Sequence, residues 1–82
     1  MSSIYSKEYQ QIIHALKTIR IKQGITQQTL AKALGRPQSF IAKIENGERR
    51  LDVVEFIRIA QLLAINPNHI LSQIIIKDKP LL

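Results

Sequence analysis

The stretch from Thr26 to Asn46 constrains the fold most, because it joins two short helix-forming segments through only a few residues. It reads TQQTLAKALGRPQSFIAKIEN. Each half carries apolar residues at the spacing of one helical face. These residues are Leu30, Ala31 and Leu34 in the first half and Phe40, Ile41 and Ile44 in the second. The pattern therefore predicts two short amphipathic helices in close succession.

A glycine and a proline mark the turn between these two segments. Gly35 can take the left-handed conformation that ends a helix, and Pro37 suits the start of the next one. Helices this short, joined by so few residues, must turn sharply with respect to one another. The sequence thus predicts a helix-turn-helix, a motif whose second helix can lie in the major groove of DNA.

A longer helix is predicted before the motif, from near Ser6 to Gln23. Ser6 can cap its start and Gly24 can end it. Its predicted apolar stripe consists of Tyr9, Ile12, Leu16 and Ile19. His14 is a lone histidine on this helix, and we interpret it as a partly exposed structural residue rather than a ligand.

Two further helix starts follow the motif. Asp52 and Glu55 have the spacing of a capping box, although that box usually begins with Ser or Thr. Asn66 and Pro67 combine a cap with proline at the first helical position. The predicted apolar face of the last helix consists of Ile70, Leu71, Ile74 and Ile75. The helix after the turn, the third in the chain, is predicted from near Pro37 to near Glu45. The sequence thus predicts five helices and an all-α fold.

The 82 residues allow one small domain. We expect a flexible segment at residues 1–8, the domain at residues 9–76 and a disordered tail at residues 77–82. The chain has no cysteine, no cluster of metal ligands and no Ser–His–Asp arrangement, so we predict no catalytic or metal site, no cofactor and no enzymatic activity. It also lacks a signal-peptide core and a run of eighteen apolar residues, which favours the cytoplasm and no membrane partner.

The net charge of +6 is confined to one part of the chain. Eight basic residues and two acidic ones lie between Lys17 and Arg50, whereas the rest of the chain has equal numbers of both. A basic surface can serve solubility alone, but solubility does not require such segregation. The position of the excess, on the motif and its flanks, favours a polyanionic partner and therefore double-stranded DNA.

The chain resembles the Cro and phage-repressor type of helix-turn-helix, the XRE family, over roughly residues 9–75. The residues that carry the resemblance follow the order of the family's motif: Thr26-Gln27, Leu30-Ala31, Leu34-Gly35, Gln38-Ser39, Ile41, Ile44 and Glu45-Asn46-Gly47. The resemblance implies a five-helix, lambda-repressor-like DNA-binding domain. It also implies a transcriptional regulator.

The helix after the turn supplies the predicted base-reading residues. If Ile41 and Ile44 face the core, the polar residues face outward, where glutamine, serine and lysine can bind base edges. Phe40 is ambiguous, since its ring could pack in the core or contact a thymine methyl group. We favour the groove for Phe40, because two isoleucines already supply an inward face. The predicted base-reading set is Arg36, Gln38, Ser39, Phe40 and Lys43.

The predicted phosphate contacts lie at the two ends of the motif. Thr26 and Gln27 start the second helix, where free backbone N–H groups favour an anion, although they could simply cap and solvate it. The resemblance places the loop from Asn46 to Leu51 beside the DNA backbone, with Arg49 and Arg50 as phosphate clamps; a solvated loop is the alternative. The resemblance also implies an ion pair between Arg20 and Glu45.

The C-terminal third carries more apolar side chains than single helical stripes can bury. They are Val53, Val54, Ile57, Leu62, Ile65, Ile74, Ile75 and Ile76. Such a surplus in a small domain indicates an interface. We expect a homodimer through the C-terminal half, reading a palindromic operator. The alternative is an antitoxin-like interaction module that covers a partner protein and regulates its own synthesis.

Overall fold

The chain folds into helices alone in the part described by the computed structural model, residues 6–74 and 79–82. The helices are α1 (Lys7–Lys22), α2 (Gln27–Leu34), α3 (Gln38–Glu45), α4 (Val53–Leu62) and α5 (Pro67–Leu71). The predicted all-α, five-helix fold is therefore confirmed. Among the described residues, no helix combines the length and the apolar character needed to cross a bilayer.

Side-chain caps set the starts of four of these helices. The hydroxyl groups of Ser6 and Thr26 accept hydrogen bonds from backbone N–H groups three residues further on, at 3.1 and 3.0 Å. Asp52 and Glu55 form a complete capping box, in which each side chain accepts from the other residue's backbone N–H, at 2.7 and 3.1 Å. The side-chain oxygen of Asn66 caps α5 by accepting from the Asn68 N–H at 2.9 Å. These bonds satisfy backbone donors that have no partner within their own helix.

The start of α1 agrees with the helix predicted from near Ser6. Ser6 caps α1 and the helix begins at Lys7, so residues 7 and 8 are helical, although they fall in the segment 1–8 that we expected to be flexible. At the other end α5 stops at Leu71, so Ile74 follows the helix instead of extending its apolar face. Residues 1–5 and 75–78, which include the predicted interface residues Ile75 and Ile76, lie outside the described part.

All five helices contribute to one apolar core. α2 packs against α3 and α4, α1 packs against α3 and α5, and α4 packs against α5. The core consists of Ile13, Leu16, Leu30, Ala31, Leu34, Phe40, Ile41, Ile44, Phe56, Ile59, Leu63 and Ile70. The short α2 and α3 are thereby held between the longer α1 and α4, which fixes the bend between them.

The inward face of α1 lies slightly to one side of the predicted stripe. Ile13, Leu16 and Arg20 are its buried residues, whereas Tyr9, Ile12 and Ile19 are only half buried. The prediction followed one edge of the apolar face and left out Ile13. The apolar pattern of α1 alone does not indicate that Arg20 is buried on this face, because its burial depends on Glu45 of α3.

Residues with a left-handed φ follow four of the helices: Gly24, Gly35, Gly47 and Ala64. Gly35 follows α2 with a φ of +72°, as predicted for the turn of the motif. Ala64 lies just beyond α4 with a φ of +56°, and it is the one non-glycine residue with positive φ in the described part of the chain. The side-chain amide of Gln23, from the end of α1, donates to the Leu63 carbonyl at 2.5 Å and so satisfies a free group at the end of α4.

Candidate nucleic-acid interface

The outward face of α3 is polar and accessible. Gln38, Ser39, Lys43 and the C-cap residue Asn46 are exposed, and half-buried Ala42 lies among them on the same side of the helix. The opposite side buries Phe40, Ile41 and Ile44. Four of the predicted DNA-contacting residues thus share one surface, which is bounded by side chains fixed in the core.

A buried ion pair fastens α3 to α1. Arg20 Nε donates to Glu45 Oε2 at 2.6 Å, and Arg20 Nη2 donates to Glu45 Oε1 at 2.9 Å. Arg20 Nη1 donates to the Ile25 carbonyl at 2.7 Å, just before α2. The two side chains are only 9% and 7% exposed. The predicted pair is present, and its bidentate geometry fixes the end of α3 relative to the start of α2.

Two glutamines extend this ion pair toward the surface. Gln27 Nε2 donates to Glu45 Oε1 at 2.8 Å, and Gln38 Nε2 donates to Gln27 Oε1 at 3.4 Å. The side chain of Gln27 is therefore engaged within the protein. Its backbone N–H, in the first turn of α2, has no partner within the helix and could bind an anion. Gln38 keeps its side-chain oxygen and a second amide hydrogen for an outside partner.

The prediction for Phe40 is wrong. The ring is 7% exposed and belongs to the core, so it does not face the groove side. The guanidinium carbons of Arg36 and Arg49 lie 4.9 and 4.5 Å from its centroid, which gives the ring a cationic cover. A buried helical face spans an arc of about 100° or more, wide enough for Phe40 beside Ile41 and Ile44.

Glu55 joins the two arginines that cover Phe40. Its carboxylate lies 3.9 Å from Arg36 Nη2 and 3.6 Å from Arg49 Nη1. Arg49 Nη1 also donates to the Arg50 carbonyl at 2.8 Å. Residues from the turn before α3, from the loop after it and from α4 thus form one cluster. Sequence reasoning gave Glu55 only a capping role, because nothing local indicates its contact with Arg36.

Tyr9 holds the loop that carries the consecutive arginines. Its hydroxyl accepts from the Leu51 N–H at 2.8 Å and donates to the Arg49 carbonyl at 3.4 Å. The sequence indicated Tyr9 only as part of an apolar stripe. Its polar end was the signal that could have been used, since a half-buried tyrosine hydroxyl requires a partner.

Comparison with known proteins identifies the family. A family model described as helix-turn-helix matches residues 16–70. A solved structure, an XRE-family like protein from Pseudomonas syringae pv. tomato str. DC3000, is 46% identical, covers 82% of each chain and superposes with a TM-score of 0.78. The chain belongs to the XRE family of helix-turn-helix proteins. No curated protein matches it.

Membership of the XRE family makes the protein a DNA-binding helix-turn-helix regulator, in a family that is not typically enzymatic. The matched region contains α2, α3 and the loop that carries Arg49 and Arg50. The exposed Lys and Arg residues within this match are Lys22, Lys32, Arg36, Lys43, Arg50 and Arg58. Within the described residues of the XRE-family domain, no three side chains of His, Asp or Glu are grouped as metal ligands.

Proposed function

We propose that this XRE-family protein is a sequence-specific transcriptional regulator that inserts α3 into the major groove of double-stranded DNA. The observation that carries the proposal is the anchoring of α3, whose buried face is in the core while Gln38, Ser39 and Lys43 remain exposed. A helix held in this manner can present side chains to base edges with little loss of conformational freedom on binding.

The outward residues of α3 would read bases in distinct ways. Gln38, at the first position of the helix, matches the donor and acceptor pair on an adenine edge. Its bond to Gln27 restrains the amide before DNA arrives. Ser39 can bind several bases, and Lys43 can reach guanine or phosphate. Arg36, whose side chain is 49% exposed, can reach either a base edge or the backbone.

Phosphate contacts would flank α3 on both sides. The first turn of α2 begins at exposed Thr26, and its backbone N–H groups favour an anion. After α3, exposed Asn46 and Arg50 and half-buried Arg49 lie along the loop tied down by Tyr9. Contacts of this kind set register and orientation but carry no direct sequence information.

The proposed active form is a homodimer joined through the C-terminal half. On α4, Val53 is 73% exposed and Val54 is 66% exposed. Val53 also borders an apolar depression of about 180 Å³. Its lining residues are Tyr9, Ile12, Leu51, Asp52, Val53, Phe56 and Leu71. Such an apolar surface favours burial against a second copy, which would place two α3 helices in successive major grooves about 34 Å apart.

An antitoxin-like role is the second candidate, because the same apolar surface suits a different protein equally well. In that case Val53 and Val54 would be covered by the partner, and DNA binding would regulate the synthesis of both proteins. Co-purification from the native host separates the candidates. A stoichiometric partner that is released by Val53→Lys favours the antitoxin-like role, whereas recovery of the chain alone favours the dimeric regulator.

Selection from random double-stranded DNA, repeated at two salt concentrations, tests the main proposal. We expect enrichment of a palindrome whose half-sites are separated by one helical turn, about 10–10.5 base pairs. Enrichment should persist at the higher salt concentration, because base contacts depend on salt less than phosphate contacts do. Recovery of unrelated sequences at both concentrations would contradict sequence-specific binding.

A further inference from the structure

Glu55 occupies an unusual position for a capping residue. Its Oε1 accepts from the Asp52 N–H at 3.1 Å and lies 3.6 Å from Arg49 Nη1, while its Oε2 lies 3.9 Å from Arg36 Nη2. The Glu55 side chain is 16% exposed, less than the arginine side chains at 49% and 39%. The carboxylate of Glu55 therefore lies close to two guanidinium groups that are more exposed to solvent than it is.

These two arginines flank α3 in the chain, one before it and one after it. Both also cover the Phe40 ring, so each guanidinium has a carboxylate and an aromatic face as neighbours. Their distances to Glu55 exceed the range of a hydrogen bond, so the attraction is that of a loose ion pair. A phosphate oxygen can offer the same groups shorter, charge-assisted and bidentate bonds.

We propose that Glu55 is an internal counter-charge that holds Arg36 and Arg49 in the DNA-free protein and gives them up to backbone phosphate when DNA binds. The proposal rests on the proposed function, since it needs both arginines to meet DNA. It assigns to α4 a direct influence on affinity, although α4 itself does not lie in the motif. A phosphate group that engages these arginines therefore competes with Glu55 for them.

The test compares two substitutions that remove one negative charge each. Glu55→Gln removes the counter-charge and keeps a side-chain oxygen that can accept from the Asp52 N–H, since glutamine also serves in capping boxes. Glu48→Gln is the matched control, because Glu48 is exposed, lies one residue before Arg49 and takes part in no ion pair within the described residues. Affinity for a random-sequence duplex is measured by fluorescence anisotropy at one ionic strength.

We expect Glu55→Gln to bind about fivefold more tightly than Glu48→Gln, the size that two partly exposed ion pairs allow. The difference in affinity between Glu55→Gln and Glu48→Gln should vanish when each is made separately in a protein that also carries Arg36→Gln and Arg49→Gln. In that background Glu55 has no arginine to hold. Equal or weaker binding by Glu55→Gln in the otherwise wild-type chain, or a difference that survives in that background, overturns the proposal.

Wild-type protein provides a readout that does not depend on the folding of a variant. The carboxyl carbon resonance of Glu55 should move on addition of the duplex by more than that of Glu48, since only Glu55 loses two cationic neighbours. A Glu55 resonance that stays in place while DNA is bound overturns the proposal. Failure of the wild-type protein to bind any duplex would instead contradict the proposed function, so the two failures are distinguishable.

Discussion

At the scale of the residue, Gln38 offers the sharpest test of base reading. It is exposed at the first position of α3, and its side chain is oriented by Gln27 at 3.4 Å. We expect Gln38→Ala to weaken binding to the selected site by about 1–3 kcal/mol and to leave binding to unrelated DNA nearly unchanged. Titration of both duplexes at the same salt concentration measures the two effects.

Two control variants separate base reading from general attraction. Gln61→Ala removes an exposed glutamine from α4, outside the motif, and should change neither affinity. Arg50→Ala removes an exposed cation from the loop, so it should weaken both complexes and lower the salt slope by about one unit. If Gln38→Ala behaved like Arg50→Ala, Gln38 would be a backbone contact and not a base-reading residue.

Ala64 is a residue whose replacement by glycine should stabilise the fold. Its φ of +56° is unfavourable for an L-residue with a side chain, and glycine removes that strain. After the extra entropy of glycine in the unfolded chain is included, we expect Ala64→Gly to raise the free energy of unfolding by about 0.5–1 kcal/mol. Urea denaturation measures this difference.

Gly35→Ala provides the reverse experiment. Gly35 has a φ of +72°, and an added Cβ would meet no atom within 4 Å, so the cost is conformational alone. We expect a loss of about 1 kcal/mol. If Ala64→Gly and Gly35→Ala changed the free energy of unfolding in the same direction, backbone strain would not be the controlling factor at these two helix ends.

Phe40 shows where reasoning from single residues fails. Ile41 and Ile44 alone would give α3 an inward face, yet Phe40 occupies the same arc of the helix and is buried as they are. The arginines over its ring come from outside that helix, and Arg49 is nine residues further along the chain. A contact of this kind depends on the fold as a whole, so the local pattern did not indicate it.

At the scale of the element, the Arg20–Glu45 pair anchors α3 to α1. Both side chains are nearly buried, and Glu45 accepts from Arg20 twice and from Gln27 once. Arg20→Leu would leave the Glu45 carboxylate buried without its main partner, so we expect a loss of about 3–5 kcal/mol. Urea denaturation measures the loss, with Lys22→Leu on the exposed side of α1 as the control.

The double variant Arg20→Leu, Glu45→Leu distinguishes an uncompensated charge from lost packing. Replacement of both partners by apolar residues of similar size removes the buried charge, and such replacements are often neutral or stabilising. We therefore expect the double variant to recover most of the stability that Arg20→Leu loses. If the double variant were as unstable as Arg20→Leu, the loss of stability would come mainly from lost packing and not from the unpaired charge of Glu45.

Tyr9 links the loop after α3 to α1. Because its hydroxyl accepts from the Leu51 N–H at 2.8 Å, Tyr9→Phe leaves a half-buried donor without its acceptor. We expect a loss of about 1–3 kcal/mol in the free energy of unfolding. Faster hydrogen exchange at the Leu51 amide should accompany it. Unchanged exchange would indicate that other contacts hold the loop.

Helices were easier to predict than the contacts between them. Caps such as Ser6, Thr26 and Asp52 act within three residues, so their bonds can be inferred from spacing, and the structure contains all of them. Other contacts join residues that are distant in sequence, such as the bond from Gln23 to the end of α4 and the approach of Glu55 to Arg36. No local pattern specifies such pairs. The Arg20–Glu45 pair was an exception only because the family resemblance supplied it.

At the scale of the whole molecule, the exposed apolar surface of α4 is where the proposed dimer would form. Val53 is exposed and borders the apolar depression, so we expect Val53→Lys to convert a dimer at tens of micromolar into a monomer. Ile21→Lys makes the same change at an exposed isoleucine on α1, outside the C-terminal half, and should leave the dimer intact. Sedimentation velocity measures both.

The sign of the new charge makes the DNA result informative. An added lysine strengthens general attraction to DNA, so weaker binding by Val53→Lys to the selected palindrome cannot be electrostatic. We expect affinity for the full site to fall while affinity for a single half-site is maintained, because each protomer keeps its own α3. A wild-type protein that sediments as a monomer at tens of micromolar, or a Val53→Lys variant that still binds the full site at wild-type strength, would contradict dimerisation through this surface. A monomeric wild-type protein would bind the two half-sites independently, so the spacing between them would no longer be fixed by the protein.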